Sequence, residues 1–429
     1  SHMHIESSMV PPLEFARAAV PRGTTCALVD PHEITNVFGE KAIEFFMDQA
    51  DLVPMDMYIG IPSCVPATKL ESSGAEITVS HIRRFMGDRR IYGLAEMMDF
   101  PDIIRGDESV RGKVDAVFDF GKIVDGHCPG LSGDALVSYV SNGKNDGVVR
   151  IMNDHEATGP AEAAEKLAAG MYLALRYGSA DKTLDAILPD LVARGADLSR
   201  CMLCSDDVSA AELGRDGHVD RIIRRAREIF MQSGGMPAQD AAVRAIALAT
   251  LNPAGYLSRF LDFHSLPPVG KVAPGHRANL ALLRSLENIE VETVIRGGVI
   301  VAERGRLVQR KPRYDYSALL KSVNVGKKIT PEDFVIAAPE KAKSVRARVI
   351  DVIPHSLLTK TAIVEMPAVN GEIKADPESD IAKIAVFERH HATGSRMVAL
   401  ARGLGIKSNA IASTVAHDKI GRASCRERV

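Results

Sequence analysis

The sequence has no apolar run approaching the ~18 residues that a bilayer-crossing helix needs. No series of charged, apolar and small residues marks a secretory leader either. A dominant charge is also missing. The 53 Lys and Arg stand against 55 Asp and Glu, a formal net charge of −2. That balance gives no electrostatic case for a nucleic acid or a membrane as partner. Six cysteines in 429 residues carry no paired spacing and read as reduced thiols of a cytoplasmic protein. Cys201 and Cys204 form a C-x-x-C, but inside an apolar strand-like run that turns them to opposite faces, so they read as structural. Internal repeats and low-complexity tracts are absent.

What remains is a globular composition, 46% hydrophobic and 25% charged, on a chain too long for one ordinary core. Both ends read as foreign. Ser1-His2-Met3 matches the remnant of a common expression tag, and IGRASCRERV at 420–429 resembles a translated cloning adapter. Residues 419–429 are therefore expected to be a non-native tail, with the native chain extending past both ends.

Between these ends, strand-like runs alternate with helical periods. The runs are TTCALVD (24–30), MDMYIGIPS (55–63), IYGLAEM (91–97), KIVDGHC (122–128), VVRIMNDHE (148–156), MYLALRYGS (171–179) and RCMLCSDD (200–207). A short helix in PPLEFARAAVPRG is opened by proline and closed by glycine. Further helices are expected near 39–51, 78–87, 107–120, 132–142 with Ser132 as N-cap, 160–169, 180–194, 217–232 and 238–257. Such alternation means parallel βαβ units with right-handed crossovers. The fold class is α/β: a TIM-like (β/α)8 barrel over 1–262 that lacks its first strand, the one that should deliver His2 and His4. Short antiparallel runs over 263–315, with Gly297-Gly298 as a hairpin turn, read as part of a small β-sandwich. A C-terminal α+β domain is expected at 330–418, with strands RARVIDVI and KIAVFE and a helix near 394–404.

Each barrel strand ends in polar residues, and in parallel barrels those ends form one mouth. The exits are Asp30 with His32, Ser63, Glu96, His127, His155 with Glu156, Ser179 and Asp206. His2 and His4, spaced i and i+2 in an extended segment, point the same way. Each residue alone has a bland reading: a structural histidine, a buried ion pair at Glu96, a helix cap at Asp206-Asp207. Their joint placement at strand ends points to a metal site built from His2, His4, Glu96, His127, His155 and Asp206. Mixed nitrogen and oxygen donors suit divalent Zn, Mn or Fe.

At this point a resemblance becomes specific. H-x-H-I-E-S-S-M (2–9), V-D-P-H-E-I-T-N-V (29–37), P-S-C-V-P-A-T (62–68), G-L-A-E-M-M-D-F-P (93–101), D-G-H-C-P-G-L-S-G (125–133), N-D-H-E-A-T (153–158) and C-S-D-D (204–207) resemble the bacterial adenine deaminases of the amidohydrolase superfamily. The likeness continues through A-T-L-N-P-A (249–254), A-P-G-H-R-A-N-L (273–280), A-V-F-E-R-H-H-A-T-G (385–394) and A-I-A-S-T-V-A-H-D (410–418). It implies hydrolysis of adenine to hypoxanthine and ammonia at two divalent metal ions, Mn or Fe, with Zn the other option. Carried over by motif, His2 and His4 bind one ion, His127 and His155 the second, and Glu96 bridges them. Asp206 takes the proton of the attacking water, with Glu156 and His32 as further acid–base candidates. Glu33 is expected to orient an imidazole from behind, and Arg176, Ser179 and the 62–68 loop with Ser63 to contact the purine. His390-His391 and His417-Asp418 are expected to be satisfied within their own domain.

The pattern departs from the family upstream, where a segment completing the sandwich and first strand is missing. An open barrel would leave an edge unpaired and His2 loosely fixed, and exposed apolar edges favour a homodimer. The enzyme alternative is a dihydroorotase- or hydantoinase-like cyclic amidohydrolase. Those carry a lysine at the fourth strand exit, where this chain has Glu96. The alternative from another class is an inactive remnant that binds metal or purine.

Overall fold

The computed structural model describes residues 1–69, 71–308, 312–353 and 359–414. His417 and the expected tail at 419–429 lie outside them. The chain forms two compact units. The first holds Ser1–Thr35, Gly39–Lys69 and Glu76–Tyr314; the second gathers Asn36–Phe38 and the segment ending at Ala75 with the chain from Asp315 onward.

Among the described residues of the first unit, nine short strands curl into a parallel sheet. They are β1 Met3–His4, β2 Cys26–Val29, β3 Asp56–Ile61, β4 Ile91–Met97, β5 Ile123–Gly126, β6 Asn153–Asp154, β7 Tyr172–Arg176, β8 Cys201–Cys204 and β9 Asp206–Asp207. Neighbours pair in parallel in the orders β2-β3-β4-β5 and β6-β7-β8, and β1 pairs with β9. Main-chain bonds bridge the remaining gaps. Met152 N donates to Val124 O at 2.9 Å ahead of β6, and Asp30 N to Met3 O at 3.0 Å. Met3–His4 thus form a two-residue strand held between β9 and the end of β2. The unpaired edge and loose His2 expected from the sequence are not found at the mouth. His2 and His4 are each 1% exposed, because β1 is hydrogen-bonded on both flanks.

Among the described residues, thirteen helices accompany the strands: α1 Pro12–Ala19, α2 His32–Phe38, α3 Glu40–Leu52, α4 Val79–Phe85, α5 Phe100–Arg105, α6 Glu108–Phe118, α7 Gly133–Val140, α8 Pro160–Ala168, α9 Leu184–Ala193, α10 Ala210–Asp216, α11 Val219–Gly234, α12 Ala238–Ala249 and α13 Leu251–Phe263. The period-2 alternation of the strands divides the core into two layers. Leu173, Leu175, Cys201 and Leu203 pack outward among the apolar faces of α9, α11 and α12. Ala174, Met202 and Cys204 pack inward with Tyr58, Tyr92, and Tyr256, Leu257 and Phe260 of α13. The two C-x-x-C thiols therefore fall in different layers.

Three local expectations need correction. The stretch 238–257 is not one helix: the backbone leaves helical geometry at Thr250, and Asn252 Nδ2 donates to the carbonyls of Leu198 and Cys201 at 2.8 and 2.7 Å. Ser132 stands at the N-cap of α7 but makes no side-chain capping bond. Strand β6 is only two residues long, so most of the run 148–156 is irregular.

A separate antiparallel sheet of the first unit contains β10 Leu280–Leu283, β11 Val291–Arg296, β12 Val299–Glu303 and β13 Arg306–Leu307. The β11–β12 hairpin turns on Gly297 and Gly298, with φ +56° and +83°, the signs that a type I′ turn demands.

The second unit, among its described residues from 315 onward, is a sheet in the order β16-β15-β14-β18-β17 with 3-10 turns and no α-helix. Its strands are β14 Ser344–Val352, β15 Thr359–Val369, β16 Glu372–Ile373, β17 Ile381–Phe387 and β18 Arg396–Arg402. The helix expected near 394–404 is strand β18, so the α+β expectation gives way to a sheet domain. RMVALAR suits a helix by local propensity. It pairs along its whole length with β17 and in parallel with β14, burying Leu400 and Ala401, and this tertiary pairing decides. No helix among the described residues is long and apolar enough to cross a membrane.

Candidate metal centre

β1 and β9 bring the two ends of the barrel sequence together. Asp206 lies between β8 and the rest of β9 on a left-handed backbone, φ +54°, which turns its carboxylate towards β1. Oδ1 of Asp206 stands 3.5 Å from His2 Nε2 and 3.3 Å from His4 Nε2, and these two nitrogens are 3.1 Å apart. Three donors at such mutual spacing match ligands roughly 2 Å from a common centre. His4 Nδ1 faces the carbonyl of Asp30 at 3.0 Å, which leaves Nε2 for a ligand role.

Across the mouth, Glu96 Oε2 meets His127 Nδ1 at 2.7 Å and His155 Nε2 at 3.2 Å. Its other oxygen, Oε1, turns to His32 Nδ1 at 3.2 Å and His4 Nε2 at 3.6 Å. Glu96 thus faces donors on both sides. Its Oε1 is buried with no hydrogen-bond partner. Leaving a buried carboxylate oxygen unsatisfied costs on the order of 1–3 kcal/mol or more, and a cation resolves that deficit. The donor sets His2–His4–Asp206, His2–Glu96–His155, His4–Asp30–His32–Glu96 and His127–His155–Glu156 each converge within 4.8 Å. Nitrogen and carboxylate donors in this mixture fit a divalent metal.

The local field agrees. Burial works against ionised carboxylates here, yet His127, His155 and His32 hold Glu96 well below the usual range. His2 and His4 do the same for Asp206. Burial likewise opposes charge on His2, but Asp125 and Asp206 carry it up to about 9.

Every other expected site residue can be located. Glu156 Oε1 stands 3.5 Å from His155 Nε2 and 3.9 Å from His127 Nδ1. His32 is fully buried between Asp30 Oδ2, at 3.2 Å, and Glu96. Arg176 lies among carboxylates: Nη1 donates to Glu156 and, at 3.1 Å, to Asp206 Oδ2, while Nη2 donates to Asp181 at 2.6 Å. Its terminal nitrogens therefore space the acids apart. Ser63 donates to the main-chain carbonyl of Glu96. Ser179 donates to Glu212 at 2.8 Å and accepts from Ser209 N at 2.9 Å, bracing one loop against another. Glu33 accepts from Ser7 Oγ at 3.3 Å. In the second unit, Glu388 accepts from the amides of His390 and His391, and His391 Nε2 faces Ser73 O at 3.2 Å.

Several residues escaped the sequence reading. Asp125 accepts from Tyr92 OH at 2.7 Å and from Tyr256 OH, and its Oδ2 lies 3.7 Å from His2 Nδ1. Strand alternation puts Asp125 on the face of His127, a usable signal; Tyr256 is 131 residues away and gave none. Glu6 has both carboxylate oxygens buried without hydrogen-bond partners, and burial beside Glu33 raises it well above the usual carboxylate range.

Comparison with known proteins yields two family matches. Residues 1–301 match the amidohydrolase family, and residues 356–421 match the adenine deaminase C-terminal domain. The chain is 41% identical over 417 residues to adenine deaminase 2 of Carboxydothermus hydrogenoformans, covering 97% of this chain and 68% of that protein. It is 39% identical over 417 residues to the adenine deaminase of Dehalococcoides mccartyi strain CBDB1, covering 97% and 67%. A third relative, the adenine deaminase of Methanothrix thermoacetophila, is 39% identical over 423 residues, covering 97% and 68%.

Proposed function

The chain belongs to the adenine deaminases of the amidohydrolase family, and from that premise we propose that it hydrolyses adenine to hypoxanthine and ammonia with the groups gathered at the barrel mouth. It is a hydrolase of C–N bonds with a small-molecule substrate. The observation that carries the reading is the reach of Glu96, one oxygen towards His127 and His155 and the other towards His4 and His32.

Two divalent ions, manganese or iron with zinc as the other option, would be held by His2, His4 and Asp206 on one side and His127 and His155 on the other, with Glu96 shared. When bound they would acidify a water and polarise the group under attack. The rest falls to side chains. The C6–O bond forms while the C6–N bond to the exocyclic amine breaks, so water's protons must reach a ring nitrogen and the departing ammonia. Asp206 is the acceptor: Arg176 and the imidazoles fix its orientation, and each carboxylate oxygen keeps a further lone pair beyond those contacts. Glu156, on the same guanidinium, is the second carrier. His32 fits a ligand-side role better than a proton donor's, since it is enclosed by Asp30 and Glu96. Arg176, Ser63 and Ser179 act by positioning, through Asp206, Glu96 and the loops, rather than by touching the purine.

The accompanying division is a catalytic barrel at 1–262, an accessory sheet at 263–315 and a C-terminal sheet domain at 330–418. A cytoplasmic homodimer completes the proposal, favoured by exposed Leu282, Val299 and Ile300 on the accessory sheet. Sizing by light scattering checks it; a monomer at working concentration would remove it.

The deciding experiment pairs metal counting with ammonia release from adenine. Two ions and adenine turnover are expected, with lower metal stoichiometry in His127→Ala and in His155→Ala. Turnover of a hydantoin instead would favour the cyclic-amide alternative, and no turnover of either would leave a binding remnant.

A further inference from the structure

Asp206 occupies a backbone region that residues with side chains seldom adopt, at φ +54°. Such conformations cost ~1–3 kcal/mol and persist only where the surroundings over-determine them. One restraint is main-chain: Asp206 N donates to His2 O at 3.3 Å. The other runs through Ser205, the single residue between β8 and β9. Its hydroxyl meets His218 Nε2 at 3.2 Å, and His218 Nδ1 meets Thr24 Oγ1 at 2.8 Å. The imidazole therefore spans two segments of the barrel, the approach to β2 and the exit of β8.

His218 is itself firmly held. Its ring stands edge-on to Phe15, with centroids 5.3 Å apart. Its amide donates to Asp220 Oδ1 at 2.9 Å, and Asp220 in turn accepts from Arg224 at 3.0 Å. Gly217 before it has φ +98°, and a Cβ there would lie 2.4 Å from Asp220 Oδ1, so the turn into α11 requires glycine. Burial keeps the imidazole neutral, down to about 3. A neutral ring has one donor and one acceptor nitrogen, and two hydroxyls satisfy either tautomer. Both nitrogens are engaged, and neither is left for proton transfer.

We propose that His218 is a positioning residue for the reaction: it pins Ser205, and through it the left-handed turn that aims the Asp206 carboxylate at His2, His4 and Arg176. The inference rests on the role given to Asp206 above.

Two substitutions cut the strut. His218→Phe keeps the ring against Phe15 and removes both hydrogen bonds; Ser205→Ala removes one. Each is expected to lower kcat for adenine by ~10–100-fold and manganese affinity, read by calorimetry without substrate, by about 10-fold. KM should hold steady, the mark of an interaction expressed in the chemical step. The double variant should be no worse than the poorer single, because both cut one connection. His218→Gln, whose amide can reach Ser205, should recover most of the loss. Losses that multiply in the double variant overturn the proposal, as does a Ser205→Ala protein matching the parent in both kcat and manganese affinity. A parent that leaves adenine untouched would defeat the deaminase reading, while manganese affinity would still decide the part played by His218. Should His218→Phe fail to fold, Ser205→Ala and His218→Gln carry the test.

Discussion

The two ends of the barrel handle buried charge in opposite ways. At the floor, Asp56 begins β3 and is met by cationic and amide donors from its own chain: Arg296 Nε at 2.9 Å, Arg277 Nη2 at 3.0 Å and Asn279 Nδ2 at 2.7 Å. At the mouth, Glu96 faces imidazoles whose other neighbours are acids, and one of its oxygens has no hydrogen bond. The floor supplies its own counter-charge and is finished on folding. The mouth is an arrangement of donors that a divalent ion completes. That division matches the general rule that parallel barrels keep stability at one end and chemistry at the other.

The comparison can be broken at several points. The largest effect belongs to the mouth: Asp206→Asn should cost ~10²–10⁴-fold in kcat, the span of a general base, while most of the metal is retained at saturating manganese. Near-normal turnover would take Asp206 out of proton transfer. Next comes the floor. Asp56→Ala removes the shared partner of two arginines and should lower stability by ~3 kcal/mol in denaturant titration, the low edge for a buried pair because both arginines reach solvent. Metal content and kcat of the folded fraction should not change; a fall in either would blur the contrast. Smaller still, manganese at 100 times its Kd should stabilise the metal-free protein by ~2.7 kcal/mol, and His155→Ala should forfeit much of that gain. Equal stabilisation of both proteins would mean that the ion binds elsewhere.

The smallest effect concerns Lys122 at the floor, whose ammonium donates to the carbonyls of Asp88 and Ile91 and lies over the rings of Phe260 and Phe263. Burial lowers it to about 8, against roughly 10.4 in an unfolded chain. Between those values the unfolded chain binds more protons, so this group makes stability rise with pH across that window and adds no slope below it. Lys122→Met should flatten the rise. An unchanged pH profile from 8 to 10.4 would show that the amine is solvated.

Much of this was legible in the sequence because the information was local. IYGLAEM is strand β4 over the residues read, with Glu96 near its exit, and His127 and His155 follow later strands to the same rim. What the sequence hid depends on partners far along the chain. Strand β1 exists because β9, some two hundred residues later, offers it a ladder. Strand β18 has the local pattern of a helix, and β17 and β14 choose its conformation instead. Arg176 reads as a free cation at a strand end until Glu156, Asp181 and Asp206 are seen around it. His218 follows a glycine like many a helix start, and nothing nearby announces Thr24 or Ser205.

The handedness of the main chain at position 206 also limits what can replace the residue there. Asn, like Asp, enters that region more often than other residues with a Cβ, and Gly does so freely, whereas Val and Ile are penalised by their branched Cβ whatever their chemistry. A saturation scan at this codon would therefore sort its survivors by two criteria at once. Properly assembled but inert proteins would cluster at Asn and Gly, and branched residues would drop out at the stage of expression.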